Sequence, residues 1–344
     1  MPDLPQNTQT EILVIGAGVL GLCAAVELTR RGHAVRVLDP GKGNASAVAA
    51  GMIAPALEAV LDRVTPERAR LFADARQAWD GFAAFAGVAI HPAQTIWAGG
   101  EGRAIAEAAA ALGFEVEKTG DAERPRLPSD VLIEPGPALA AMRAALDQSL
   151  IYGRATAAAR IAEGWRVRTD VGEIDAGIIL LATGAAEGLE GLPDTAASLM
   201  QVISPIRGQI GFLPGLKAEA VLRGRGLYVA PSGEGAVVGA TMEAGRSDLE
   251  PDADAGRTLV AGGEGLIGRA IEGEIDWRVG IRGSTPDGLP MAGGSGDAGL
   301  FMALAPRRNG WLLGALAAQV VADEIEGGGA SSPHAAALDP RRFL

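Results

Sequence analysis

The sequence predicts an α/β fold of two lobes, and three observations predict it. A strand–glycine–helix–strand unit opens the chain. A second apolar strand with a glycine turn follows near the middle. Hydrophobic residues fill 48% of 344 positions, with charged residues at 21%. That length suits one large two-lobed unit, and the composition supplies a core with no sign of disorder.

The opening unit is "EILVIGAGVLGLCAAVELTRRGHAVRVLD", Glu11 to Asp39. Ile12 to Ile15 is a short apolar run that reads as a buried strand. Gly16, Gly18 and Gly21 follow as GxGxxG. Leu20, Ala24 and Leu28 then recur at helical spacing, and Ala34 to Leu38 forms the next strand. The first glycine permits a tight turn, the second lets a pyrophosphate approach, and the third lets helix pack on strand. The helix N-terminus presents its positive end to phosphate. Asp39, 23 residues after Gly16, stands where an acid accepts hydrogen bonds from a ribose. The register of all five features points to a dinucleotide on a Rossmann-like sheet. Cys23, inside this helix, reads as a small core residue.

After Asp39 the pattern breaks off. Gly41 to Pro55 is a run of small residues that would let backbone lie against a flat ligand. Much later, "GEIDAGIILLATGAAEG" gives a strand over 177–181 ending in Ala182-Thr183-Gly184. That ending resembles the strand-end turn of flavoproteins built on two dinucleotide-binding segments. Segments that would touch one cofactor are thus spread along the chain, which favours a flavin in a discontinuous domain over a nicotinamide site confined to one end.

Further stretches carry a closer resemblance. They are "SAVAAGMIAP" at 46–55, "PIRGQIG" at 205–211, "LYVAPSGEGAVVGATME" at 227–243, "VGIRGSTPDGLPMAG" at 279–293, "RRNGWLL" at 307–313 and "LDPRRF" at 338–343. Together with the opening unit, the chain resembles the D-amino-acid oxidase family of FAD enzymes, above all its glycine oxidase branch of the thiamine-biosynthesis type. The resemblance implies a Rossmann-like FAD-binding domain from 10–60, 131–200 and 280–330. It implies a smaller α+β substrate domain on a mixed sheet from 61–130 and 201–279, with 331–344 as a C-terminal tail. Non-covalent FAD would be met by Gly16, Gly18, Val19, Gly21, Asp39, Pro40, Ser46, Ala50, Gly51, Met52 and Ala157. Later contacts would come from Ala182, Thr183, Gly184, Arg308, Asn309, Gly310, Trp311 and Leu312.

The chemistry asks for an arginine. An amino acid carries a carboxylate, whose best partner is a planar guanidinium in a bidentate pair. Arg282, between a strand over 276–281 and a glycine-rich turn, is the candidate, and the matching family arginine clamps the substrate carboxylate. Tyr228 and Met242, on an apparent hairpin through Ser232-Gly233-Glu234-Gly235, match positions that line the active site. Asn309-Gly310 opens a last helix over 311–325, whose free N–H groups would face the flavin. Arg308 matches the arginine of the family's "RNG" and borders the site. Pro306 and Arg307 depart from the family's histidine and aromatic residue, and Gly226 stands where relatives carry a polar side chain.

Other classes are disfavoured. A formal net charge of −12 argues against nucleic acid or an anionic membrane surface. One cysteine precludes an internal disulfide and suits a reducing, cytoplasmic setting. "MPDLPQNTQTE" does not read as a signal peptide, and no apolar run reaches the ~20 residues of a membrane span. His33, His91 and His334 have no ligand-spaced neighbours, so no metal is expected. "TPERARLFADARQAWDGFAAF" reads as an amphipathic helix from Thr65, a cap or subunit contact. "GGGASSP", 327–333, reads as a linker. A homo-oligomer is left open. The expectation is FAD-dependent oxidation of glycine or another small amine-bearing acid, with oxygen as acceptor. A D-amino-acid or N-methyl-amino-acid oxidase or dehydrogenase is the alternative, and a partner-dependent or non-catalytic FAD-binding subunit the alternative of another class.

Overall fold

The computed structural model describes residues 11–117, 120–185, 188–327 and 332–344. Its first lobe is a six-stranded sheet. The order is Met291–Gly294, Leu300–Leu304, Ile178–Leu181, Ile12–Ile15, Val35–Asp39, Leu150–Tyr152. All neighbours are parallel except the outermost pair, Met291–Gly294 with Leu300–Leu304. The unbroken run Ile12–Ile15 follows from burial on both sides. Ile12 and Val14 enter one core, and Leu13 and Ile15 enter the other. Helices Val19–Arg30 and Gly310–Ile325 pack in the first core. The second core includes Trp165 and Val167 of a three-stranded sheet, Ala155–Ile161, Gly164–Thr169 and Gly172–Ala176.

The expected opening unit forms as read. Gly18 is the N-cap of Val19–Arg30, and Asp39 ends its strand. Gly16 has φ +112°, and a Cβ there or at Gly21 would overlap backbone, that of Ala182 and of Gly16 respectively. Gly18 has an ordinary φ of −74°, and a Cβ would meet only Ser46 Oγ at 3.4 Å. Gly21→Ala should therefore cost about 1–3 kcal/mol of stability by overpacking. Gly18→Ala should stay within roughly 0.5 kcal/mol yet weaken FAD retention. Urea midpoints of apoprotein and flavin retained on a desalting column check both.

The second lobe is an eight-stranded mixed sheet. Its central strand Ser204–Pro214 pairs with Gly235–Gly239, Glu243–Ala244 and Asp276–Ser284. Leu227–Ser232, Leu222–Gly224, Thr95–Trp97 and Arg126–Leu127 continue it outward. Helix Ala253–Ile267 covers one face, and the other face turns toward the first lobe. Residues 61–130 contribute to both lobes. They supply edge strands here, but helix Pro66–Ala86, capped by Thr65, buries Trp79 in the core around Gly310–Ile325.

Three details differ from the sequence reading. Arg282 lies inside the strand Asp276–Ser284, which continues through Gly283. The glycines that read as a turn are there for close approach: a Cβ on Gly280 would crowd Ala45 and one on Gly283 would crowd Gly184. Met242 follows the hairpin strand Gly235–Gly239 without belonging to it. Residues 332–344 are docked, with Arg342 bonded to Asp287 and to the carbonyls of Leu289 and Pro290. Part of the expected linker, 328–331, and the first ten residues lie outside the described residues.

Candidate active site

Two adjoining cavities lie between the lobes. The larger, about 380 Å³, is walled by the sheet face bearing Tyr228, Gly280 and Arg282 and by the segment 45–62. The smaller, about 100 Å³, runs past Gly18, Val19, Ser46, Ala182, Gly184 and Gly310. Both touch Ala45, Ala49, Arg282, Arg308 and Trp311, so the cavity beside the glycine turn and the cavity beside Tyr228 share a wall.

Two glycines make room for the side chains of the larger cavity. A Cβ on Gly208 would run into the Arg282 guanidinium, and one on Gly239 into the Tyr228 hydroxyl end. Arg282 Nη1 donates to the Thr241 carbonyl at 3.2 Å and meets Met242 Sδ at 3.4 Å. No carboxylate of the described residues forms an ion pair with it. Burial pushes its pKa down, and the positive Arg308 and Arg307 push the same way against the phenol of Tyr228. An arginine stays charged regardless, so the cavity holds a cation in want of an anion. Burial raises the Tyr228 pKa against the pull of Arg282 and Arg223, which keeps the phenol a hydrogen-bond donor at neutral pH.

Arg308 lines the cavity but is engaged. Its Nε donates to Glu58 at 2.5 Å and its Nη2 pairs with Asp62 at 2.8 Å. Arg307, with φ +53°, also pairs with Asp62, at 3.1 Å. Glu58 is in turn held by Arg223 at 2.9 Å. Burial pushes the Glu58 pKa up, but Arg223 and Arg308 outweigh it and hold the carboxyl below its usual range. The two arginines at the head of the last helix are thus the half-buried far end of an ion-pair chain whose other end, Arg223 and Glu58, is buried. Sequence reading missed Glu58, Asp62 and Arg223 because the pairs are up to 250 residues apart. The one local signal is Glu58 and Asp62 at i,i+4.

The residues expected around a dinucleotide fall into three groups. Gly18, Val19, Ser46, Ala182, Gly184, Arg308, Gly310 and Trp311 line the smaller cavity. Ala50, Gly51, Met52 and Asn309 line the larger. Gly16, Gly21, Asp39, Pro40, Ala157, Thr183 and Leu312 line neither. Gly51, at φ +73°, is required by the Ile133 backbone pressed against it, and Leu312 is core. Ala157 sits on the separate three-stranded sheet, and Pro40 is exposed. Asp39 accepts the N–H of Ala17 and of Gly41, both at 2.8 Å, which fixes the loop around the glycines.

Several features fit FAD. The Thr183 hydroxyl is buried with no partner beside Ala182 and Gly184, and the smaller cavity adjoins both the glycine turn and the larger cavity through shared walls. Neither Gly18 at the first helix nor Asn309 at the last supplies a side-chain cap; the Ser46 hydroxyl accepts the Val19 N–H at 3.0 Å, and the remaining first-turn N–H groups of the two helices would serve phosphate and the flavin ring. Trp311, anchored through its indole N–H to the Ser46 carbonyl at 3.1 Å, belongs to the wall shared by the two cavities. Cys23 is fully buried, and burial pushes its thiol pKa up, so it is inert.

The tRNA 5-methylaminomethyl-2-thiouridine biosynthesis bifunctional protein MnmC of Caulobacter vibrioides is 33% identical over 150 residues, covering 42% of this chain and 24% of that protein. The chain spans between about a quarter and about a half of the first few curated relatives it matches. A glycine oxidase of Geobacillus kaustophilus is 26% identical, covering 92% of this chain and 93% of the relative. The crystal structure of glycine oxidase from Geobacillus kaustophilus superposes with a TM-score of 0.80 at 21% identity, over 95% of this chain and 98% of that one. The model of the DAO family, FAD dependent oxidoreductase, matches residues 11–324. The chain is therefore a member of that family of FAD-dependent oxidoreductases.

Proposed function

We propose that this protein oxidises a small amine-bearing carboxylic acid, glycine or a short relative of it, with non-covalently held FAD. The observation that carries the reading is Arg282, a charged guanidinium on the cavity wall that no carboxylate of the described residues neutralises. Bound FAD supplies the two-electron acceptor. Arg282 would hold the substrate carboxylate, and Tyr228, three strands over on the same cavity wall and still protonated, would donate to the same group. That fixes the Cα at one distance from the cavity wall, so that its C–H can be aimed. The substrate amine enters neutral, loses hydride from Cα and a proton from nitrogen, and leaves as the imino acid. Water then gives the keto acid and ammonia. With oxygen as final acceptor the two electrons appear as hydrogen peroxide.

Substrates larger than glycine form a second reading. Gly226 borders the cavity beside Tyr228, and a Cβ there would meet nothing within 4 Å. This leaves space beyond the Cα or nitrogen for a methyl group. Aerobic incubation with glycine, sarcosine and D-alanine, followed by peroxide, ammonia and methylamine assays, tests both readings. Peroxide with none of the three would sink them.

The cofactor link is also testable. The sole thiol is buried against Met142. Acid precipitation should release all of the yellow colour to the supernatant. Flavin that stays with the pellet would contradict a non-covalent site.

A further inference from the structure

Behind the Arg223–Glu58 pair lies a group that the oxidation itself does not use. Asp130 is 1% exposed, and neither carboxyl oxygen has a hydrogen-bond partner. Around it the Thr95 hydroxyl and Arg223 Nε are also buried and unpartnered. Two paired strands and the loop that precedes Val131–Leu132 bring these groups together. Arg223 stands opposite Trp97, which puts Arg223 and Thr95 on one face of the sheet, and the backbone carbonyl of Asp130 accepts from the Ala93 N–H at 3.2 Å, which holds the loop residue beside them. A buried carboxyl without partners is costly when charged, so it binds a proton unless a cation comes to it.

We propose that Asp130 is a positioning residue that senses pH for the cavity, competing with Glu58 for Arg223 when it loses its proton. Burial raises its pKa to about 7, while the Thr95 hydroxyl and Arg223 pull back, Glu58 pushes further up, and Arg76 from helix Pro66–Ala86 pulls down. Protonated, Asp130 leaves Arg223 to Glu58, and Glu58 with Asp62 holds Arg308 at the cavity. Deprotonated, its charge draws the free Nε of Arg223, loosens Glu58, and adds negative potential behind the carboxylate site. Anion binding beside Arg282 should then weaken as pH rises. This rests on the carboxylate-clamp reading, and the test separates the two.

The test compares the FAD-loaded protein with Asp130→Asn and Thr95→Val between pH 5.5 and 8.5. One readout is melting temperature. A carboxyl whose folded pKa lies above its unfolded one stabilises below the unfolded pKa, and the benefit is lost as pH rises through the folded one. Asp130→Asn lacks that loss, so it should gain on the parent by roughly 3–8 °C across the range. The other readout is the dissociation constant of acetate, read from the flavin spectrum. It should rise roughly fivefold or more with pH in the parent and stay flat in Asp130→Asn. In Thr95→Val, which removes the hydroxyl that favours the charged carboxylate, the midpoint should move up. The same acetate profile in Asp130→Asn as in the parent, or equal pH slopes of melting, would overturn the proposal. Should Asp130→Asn fail to fold, an unmoved midpoint in Thr95→Val would overturn it equally. If acetate leaves the spectrum unchanged at every pH, the clamp fails, and the melting slopes still decide whether Asp130 takes up the proton.

Discussion

Arg282→Ala should lose on the order of 2–5 kcal/mol of substrate binding, because it removes one partner of a charge pair formed in a shielded cleft. Arg282→Lys should recover only part, since an ammonium cannot reproduce the planar fork. FAD content and fold should survive both changes. Among the described residues, the Arg282 side chain makes two weak polar contacts, to the Thr241 carbonyl and Met242 Sδ, and Gly208 leaves a slot that an alanine would simply empty. Stopped-flow flavin reduction against substrate concentration separates binding from the hydride step. A parental dissociation constant in Arg282→Ala would remove the arginine from the clamp.

Trp79→Ala should cost about 3–5 kcal/mol of stability by opening a cavity in a packed core, plus about 0.5–1.5 kcal/mol for a lost hydrogen bond. Trp79 is fully buried, edge-on to Phe82 at 5.3 Å between centroids, and 5.9 Å from the Trp311 ring. Its N–H donates to the Trp311 carbonyl at 2.6 Å, in the first turn of the helix whose start lines both cavities. The damage should therefore extend beyond stability to FAD affinity. Trp79→Phe should keep much of the packing and lose the bond. Denaturant midpoints of the apoproteins and FAD titrations measure the two effects. A Trp79→Ala midpoint matching the parent would contradict this account of the core.

What the sequence revealed follows from how local each feature is. The strand Ile12–Ile15, the glycine turn, the helix and Asp39 are contiguous, and every residue's reason lies within its neighbours. The hairpin through Ser232 to Gly235 was legible for the same cause. Arg282 was singled out at the junction of a strand and a glycine-rich turn, whereas the strand runs on through it to Ser284, because Gly280 and Gly283 look like turn glycines and serve strand-to-backbone approach instead. Arg308 was found, but its engagement was not: Glu58 and Asp62 sit in an unremarkable stretch, "PALEAVLD", and gain meaning only when folding brings position 308 to them. The slots left by Gly208 and Gly239 and the isolation of Asp130 are likewise properties of three-dimensional packing.

The most direct measurement of the central claim is anaerobic. The yellow protein is mixed with glycine, sarcosine and D-alanine, and in parallel with methylamine, dimethylamine and ethylamine, which match them without the carboxylate. The account predicts that flavin absorbance bleaches with at least one of the acids and with none of the amines. Bleaching by ethylamine as fast as by D-alanine would contradict it, since a site that ignores the carboxylate has no use for the unpaired charge of Arg282.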